Sequence, residues 1–399
     1  MQIQLTEYET ETGVALSQLQ RDQLRRVAPS ILVVPTVGAA TYDLTPGSFV
    51  GVVHLSDELE LLVRPKLPID RVLFLISYAV GHGRWADAPA VLGQAESLLE
   101  AIIPGFTYQL RHAVRRGVLQ GYRGEEDSLA TVRGRWRIDD QIRDRFGIAP
   151  PIEVSFDDFT EDIEVNRLIR AALHRLLRLP ARNDRTRWPL RALDAKLGNV
   201  KLVDYDPRRV PQVAIDRRTV SYRGALNLSR LILTGASFDI SRGGVEASAF
   251  LINMNRVFED FVVVALREAL GVSDRVLLQG APGRRLFLDT NERIALKPDV
   301  SMWSGETCTF VGDVKYKRIR SEAYPNADLY QLTAYTIATG LPTGILVYAA
   351  GDEDPVVHEV VGLGKRLELV ALELRDSPER ILRQIALLAS RITELARAA

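Results

Sequence analysis

The chain has almost no cysteine. One residue, Cys308, stands in 399, so an intrachain disulfide is impossible and this chain cannot supply a four-cysteine iron–sulfur cluster. Such usage fits a reducing cytoplasm. The five histidines (His54, His82, His112, His174, His358) are scattered, and none has a zinc-site spacing. No uninterrupted apolar run approaches the roughly 18 residues of a membrane span. The N-terminus lacks a basic stretch followed by an apolar one, so no signal peptide is expected. Neither charge sign dominates: 51 Lys and Arg balance 51 Asp and Glu. A nucleotide-binding Gly-x-x-x-x-Gly-Lys-Ser/Thr loop is missing too. Gly362-Leu-Gly-Lys365 fails as one, because Arg366 follows the lysine and Glu359 stands where the first glycine belongs. If the chemistry needs a nucleotide-driven motor, another polypeptide carries it.

What remains is the composition of an ordinary globular protein, 46% hydrophobic and 26% charged, with length for two or three domains. The pattern is that of an α/β multi-domain chain. Residues 1–127 form an N-terminal region, small and β-rich at first, then helical. Short β-type runs lie at Ile31–Pro35, Ser48–His54 and Leu59–Arg64, after a helical stretch at Leu16–Arg26. Helical periodicity marks Ile69–Val80, Ala88–Ile103 and Thr107–Val118. A turn-rich patch, Gly121–Asp127, closes the region.

Residues 128–243 form a mainly helical, basic middle region. Helices are expected at Glu164–Leu179, from Trp188 to about Leu197 after a polar linker, and at Tyr222–Gly235. Between Val165 and Arg218 fourteen basic residues face five acidic ones. Such a block can track a phosphate backbone, meet a protein partner, or be a solvated helix face. Asp239–Val245 reads as a loop at the last boundary.

Residues 244–399 read as an α/β module with a mixed central sheet. A helix covers Phe250–Leu266, and strands are expected near Arg285–Asp289, Lys297–Trp303, Thr309–Tyr316, Gly344–Ala350 and Val356–Val361. A helix at Ala327–Tyr335 lies between the third and fourth strands. The last helix starts at Ser377 as N-cap and Pro378 in the first turn.

This module holds the chemistry. Asp299 follows Lys297-Pro298, and Asp313 and Lys315 lie fourteen and sixteen residues on, within Val311-Gly-Asp-Val-Lys-Tyr-Lys317. Residues two apart on a strand share a face. A carboxylate and an ammonium on one face, with a second carboxylate on the neighbouring strand, suit a divalent cation and an attacking water. Asp299, Asp313 and the Val314 carbonyl are the candidate metal ligands, and Lys315 the group that orients or deprotonates the water. A surface salt bridge on a hairpin is the plain alternative. Glu259 lies mid-helix upstream. Downstream, Gln331 and Tyr335 are four apart and share a helical face.

The order Glu259, Asp299, Asp313-x-Lys315, Gln331-x-x-x-Tyr335 resembles the PD-(D/E)XK nucleases, in the branch with a Gln-x-x-x-Tyr motif. The resemblance implies that Glu259 supports the metal and that Gln331 and Tyr335 contact DNA or brace the site; Lys317 is a further DNA candidate. More of the chain resembles the McrC family, nuclease subunits of McrBC-type modification-dependent restriction systems. The carrying segments are Val63-Arg-Pro-Lys66 and its following helix, Val132-Arg-Gly-Arg-Trp136, Phe156–Leu173 and Asn253–Val262. The resemblance implies a Mg²⁺- or Mn²⁺-dependent endonuclease of double-stranded DNA in the cytoplasm, with no membrane. It acts with a McrB-like AAA+ ring that binds GTP or ATP and reads modified DNA, such as 5-methylcytosine. Arg133 and Arg135 are candidates for ring activation or DNA contact, or are simply a solvated turn. Two rival readings are a non-catalytic adaptor of the ring and a standalone repair nuclease.

Overall fold

A computed structural model describes residues 2–36, 40–55, 59–79, 98–145, 150–178, 184–207, 209–211, 213–234, 239–242, 245–280, 283–318, 326–350 and 356–398. The chain divides into two compact units: Met1–Ala101 with Phe238–Ala399, and Ile102–Ser237. The sequence reading cuts at 127 and 243, whereas here the two ends of the chain share one unit.

Strand pairing is the reason. Val245–Asn253 pairs antiparallel with the distant strand Phe49–His54 in a five-stranded sheet. Its order is Gln2–Thr6, Glu60–Arg64, Phe49–His54, Val245–Asn253, Asp239–Arg242. Gly51 lies opposite Leu251 with φ +144°, and a Cβ there would stand 2.0 Å from the Phe250 carbonyl oxygen. Only glycine lets the two backbones approach so closely. The expected loop at Asp239–Val245 is thus corrected: Asp239–Arg242 is a strand hydrogen-bonded to the next one.

The second sheet of this unit has six strands, in the order Leu277–Leu278, Val300–Ser304, Thr307–Arg318, Thr343–Ala350, Lys365–Ala371, Val356–Val360. Thr343–Ala350 is parallel to both its neighbours, and the other pairs are antiparallel. The mixed sheet is as expected, with two differences. Lys365–Ala371 supplies a strand that the sequence reading omits. At Arg285–Asp289 there is only an isolated bridge, Phe287 to Ala295.

Both faces of this sheet are covered. Val311, Leu346 and Tyr348 share a buried cluster with Leu332 and Tyr335 of the helix Asn326–Thr339. Each such side chain is worth about 1.5–3 kcal/mol over exposure. Tyr316 points to the other face, where its ring meets Phe258 of the helix Met254–Leu270 at 5.9 Å. That helix starts at the N-cap Asn253, whose side chain accepts from Asn255 N–H, and ends at left-handed Gly271. It starts four residues later than expected, because Phe250–Asn253 still belongs to the strand.

The other unit contains the helices Glu164–Arg178, Asp184–Lys196 and Arg223–Thr234, and a three-stranded sheet of Gly121–Leu129, Ile152–Thr160 and Arg135–Trp136. The turn-rich patch at 121–127 is here a nine-residue strand, paired along its length with Ile152–Thr160. Long-range pairing overrides its poor β-propensity. The expected break near Pro104 is also absent. One helix, Leu98–Ala113, runs through that proline, with Ile102, Ile103, Phe106 and Leu110 buried. Of the expected helix from Ala88, residues 88–97 lie outside the described residues, as do Leu179 of the expected helix Glu164–Leu179 and residues 180–183 of the expected linker. Residues 184–188 of that linker are helical.

Candidate active site

The antiparallel register pairs Val300 with Gly312. Continued by one residue, it sets Asp299 opposite Asp313. Lys315 follows on the same face as Asp313. Its Nζ lies 2.5 Å from Asp313 Oδ2 and 3.4 Å from Asp299 Oδ2. The Val314 N–H donates to Asp299 Oδ2 at 3.0 Å, so the strand itself holds that carboxylate in place.

Asp313 is 0% exposed. The ion pair with Lys315 apart, its two oxygens have no hydrogen-bond partner among the described residues. Burial first, and the facing Asp299 second, push its carboxyl well above the usual carboxylate range. Burial works to lower the Lys315 ammonium, but Asp313 and Asp299 outweigh it, and the net shift is upward. In this arrangement Lys315 is a proton donor and a positive charge.

Glu259 is half-buried on the helix Met254–Leu270. Burial, then the charges of Asp299 and Asp260, raise its carboxyl to about 7. It therefore stands within electrostatic reach of the pair. Among the described residues, however, no three His, Cys, Asp or Glu side chains gather closely enough to hold a metal ion. The donor set still fits a hard divalent cation: carboxylate oxygens, those of Asp313 buried with only the Lys315 ammonium paired to them. What occupies the neighbourhood of the Asp299–Asp313 pair here is the Lys315 ammonium, and like-charge repulsion sets it against a metal ion.

Tyr335 is 2% exposed. Its hydroxyl donates to the Lys297 carbonyl at 3.0 Å, two residues before Asp299, and accepts from Gln331 Nε2 at 2.8 Å. Of the two roles left open, bracing fits Tyr335, and burial removes it from DNA contact. Gln331 is exposed. Gly344 permits this brace. A Cβ on it would lie 2.8 Å from Leu332 Cδ1 and 2.9 Å from Thr336 Cγ2 of the same helix. Lys317 is tied to Asp328 at 2.6 Å. Asp328, buried and accepting from the Tyr348 hydroxyl at 2.9 Å, is a residue the sequence reading missed.

The remaining candidates belong to the other unit. Arg133 stacks on Phe156 at 4.0 Å and pairs with Asp158 at 2.8 Å, while Arg135 is exposed. The basic block is partly an internal frame. Arg167 pairs with Asp162, Arg170 donates to the Val200 carbonyl, Arg175 to the Leu233 carbonyl, and Arg218 to the Gln120 carbonyl. Arg167 and Arg170 tie loops to the helix Glu164–Arg178, Arg175 ties that helix to Arg223–Thr234, and Arg218 joins two loops.

No curated protein matches the chain. Among solved structures, it resembles a chain of a refined half-complex from a tetradecameric assembly of Thermococcus gammatolerans McrB AAA+ hexamers with bound McrC. The identity is 17%, the likeness covers 98% of this chain and 100% of that chain, and the TM-score is 0.55. A second likeness is to the Thermococcus gammatolerans McrBC complex, at 19% identity over 68% of this chain and 88% of that one, with a TM-score of 0.44. Identities this low speak to fold alone. The family model for the McrBC 5-methylcytosine restriction system component, however, matches residues 44–349, and the chain belongs to that family.

Proposed function

We propose that this chain is the nuclease subunit of a McrBC-like restriction complex, a PD-(D/E)XK endonuclease that cuts double-stranded DNA with Mg²⁺ or Mn²⁺. The observation that carries the reading is the convergence of Asp299, Asp313 and Lys315 on one sheet face, with Asp313 buried and the Lys315 ammonium as its compensating charge. Burying a carboxylate against a second one, with a single ammonium for both, works against stability, so such a site points to a ligand that these carboxylates serve. Asp299 and Asp313 would hold the metal, with Glu259 and the Val314 carbonyl as further oxygen donors. Bound there, the metal would polarise the phosphate and activate a water. The Lys315 ammonium orients that water and offsets the negative charge growing on the scissile phosphate. The Tyr335 hydroxyl fixes the backbone at Lys297 and so the approach of Asp299.

The partner is a McrB-like AAA+ ring, GTPase or ATPase, whose hydrolysis this chain stimulates and which brings modified DNA to the site. The T. gammatolerans assembly, in which McrB AAA+ hexamers carry bound McrC, supports this pairing. No helix among the described residues is long and apolar enough to cross a membrane.

The test is cleavage of methylated and unmethylated plasmid by this chain with a McrB-type partner, Mg²⁺ and GTP or ATP. Wild type should cut and Asp313→Ala should not, while a pull-down recovers the ring with both. Stimulated hydrolysis without cutting by either protein would make the chain an adaptor.

A further inference from the structure

We infer that Asp328 is a positioning residue, which receives the Lys315 ammonium when a divalent cation takes the Asp299–Asp313 pair. The inference rests on the metal-dependent reading above.

The parallel register sets Lys315 beside Tyr348 on the neighbouring strand, so their side chains share one sheet face. The Tyr348 hydroxyl donates to Asp328 Oδ2 at 2.9 Å, and Lys317 Nζ lies 2.6 Å from the same oxygen. Asp328 stands in the first turn of the helix Asn326–Thr339 and is buried. Its charge also acts on Lys315, in the same sense as those of Asp313 and Asp299. Lys315 is therefore placed between two anionic centres. It pairs with the first in the described state, and the second is occupied by Lys317 and Tyr348.

A dication on the first centre repels an ammonium 2.5 Å from one of its ligands and 3.4 Å from the other. The ammonium must then withdraw without leaving the sheet face, where the reaction needs its charge. An ionised carboxylate has roughly four acceptor positions, and the two donors on Asp328 leave room for a third. The flexible four-carbon stem of lysine lets the ammonium move along the sheet face toward Asp328. Asp328 would thus lower the free energy of the displaced ammonium and, through it, favour metal binding.

The experiment is Mg²⁺ binding to the full chain by titration calorimetry, for wild type, Asp328→Asn, Lys315→Met and the double variant. Asparagine retains an acceptor for Tyr348, and thermal melting checks that each variant folds. Asp328→Asn should weaken Mg²⁺ binding by about tenfold where Lys315 is present and by less than about twofold in the Lys315→Met background. Asp328→Glu, which keeps the charge, should stay within about threefold of wild type. Equal weakening in both backgrounds would reduce Asp328 to a remote charge and overturn the inference, as would no weakening at all. If Asp328→Asn does not fold, Lys317→Met carries the test. It removes one donor from Asp328 and should tighten Mg²⁺ binding; unchanged or weaker binding overturns the inference. A wild-type chain that takes up no Mg²⁺ removes the metal reading and this inference together, whereas the coupling results judge Asp328 alone.

Discussion

Asp313 is a carboxylate that the surrounding protein does little to solvate. It is fully buried, faces Asp299, and has Lys315 as its one compensating charge. Metal binding should therefore stabilise the protein as well as activate it. At a hundredfold excess over its Kd, Mg²⁺ should add about 2.7 kcal/mol to wild type. Asp313→Asn should remove that gain and leave the metal-free fold intact, both read from melting curves with and without Mg²⁺, and should abolish cleavage in the plasmid assay. Glu259 gives a pH signature with a definite sign. Its folded-state pKa is raised, from 4.5 to about 7, so the protonated form is the one favoured by folding. Its contribution is whole below pH 4.5 and is lost as pH rises through about 7. Metal-free protein should lose stability over that window, Glu259→Gln should flatten the loss, and Mg²⁺ should oppose it. Unfolding midpoints measured from about pH 4 to about pH 8 would decide. Asp313 and Lys315 could be read from the chain because strand alternation fixes which side chains share a face, and Asp299 because it stands at the head of the neighbouring strand. Asp328 could not, since its partners Tyr348 and Lys317 reach it only through the register of a parallel pair and the seat of a helix.

Elements set the precision of this site. The helix Asn326–Thr339 reaches the sheet because Gly344 offers no side chain, and the Tyr335 hydroxyl then ties it to the backbone ahead of Asp299. Tyr335→Phe removes that bond and the acceptor for Gln331, at a stability cost of about 1 kcal/mol. The larger effect should be on chemistry, a loss of about ten- to a hundredfold in cleavage from a displaced Asp299, with metal binding kept. Gly344→Val should do more harm. Its side chain would collide with Leu332 and Thr336, overpacking that costs about 1–3 kcal/mol or more, measurable by urea unfolding. Helices and strands of this module were legible where periodicity and burial agree, as at Thr343–Ala350, a nearly continuous apolar run buried on both faces. They were illegible where non-local pairing decides. Gly121–Leu129 is rich in glycine and acid and reads as a turn, yet it is a strand because Ile152–Thr160 lies alongside it.

The two ends of the chain form one body, and the reason lies beside the candidate site. Glu7, fully buried, accepts from the Tyr316 hydroxyl at 2.9 Å and from the Lys66 N–H at 2.7 Å. Tyr8, with φ +58°, donates to Asn255 Oδ1 and to the Tyr316 carbonyl. Two adjacent N-terminal residues thus grip the side chain and the backbone of the residue that follows Lys315, and the start of the helix that carries Glu259. The same helix receives its N-cap support from Ser48, whose hydroxyl meets Asn253 and whose carbonyl accepts from Met254 N–H. None of this shows in sequence, because Glu7 and Tyr316 stand 309 positions apart and a lone glutamate in a strand–turn carries no pattern. It follows that residues 244–399, which read as a self-sufficient nuclease module, should not fold cooperatively alone. Cut from Phe49–His54, Val245–Asn253 exposes a long apolar edge, and Tyr316 loses Glu7. Expressed with residues 1–101 in the same cell, the fragment should regain a sharp melting transition. Tyr316→Phe in the full chain should cost about 1–3 kcal/mol, since it leaves the Glu7 carboxyl buried with a donor missing. A fragment 244–399 that melts sharply by itself would show that the N-terminal sheet is an attachment to the nuclease rather than part of its frame.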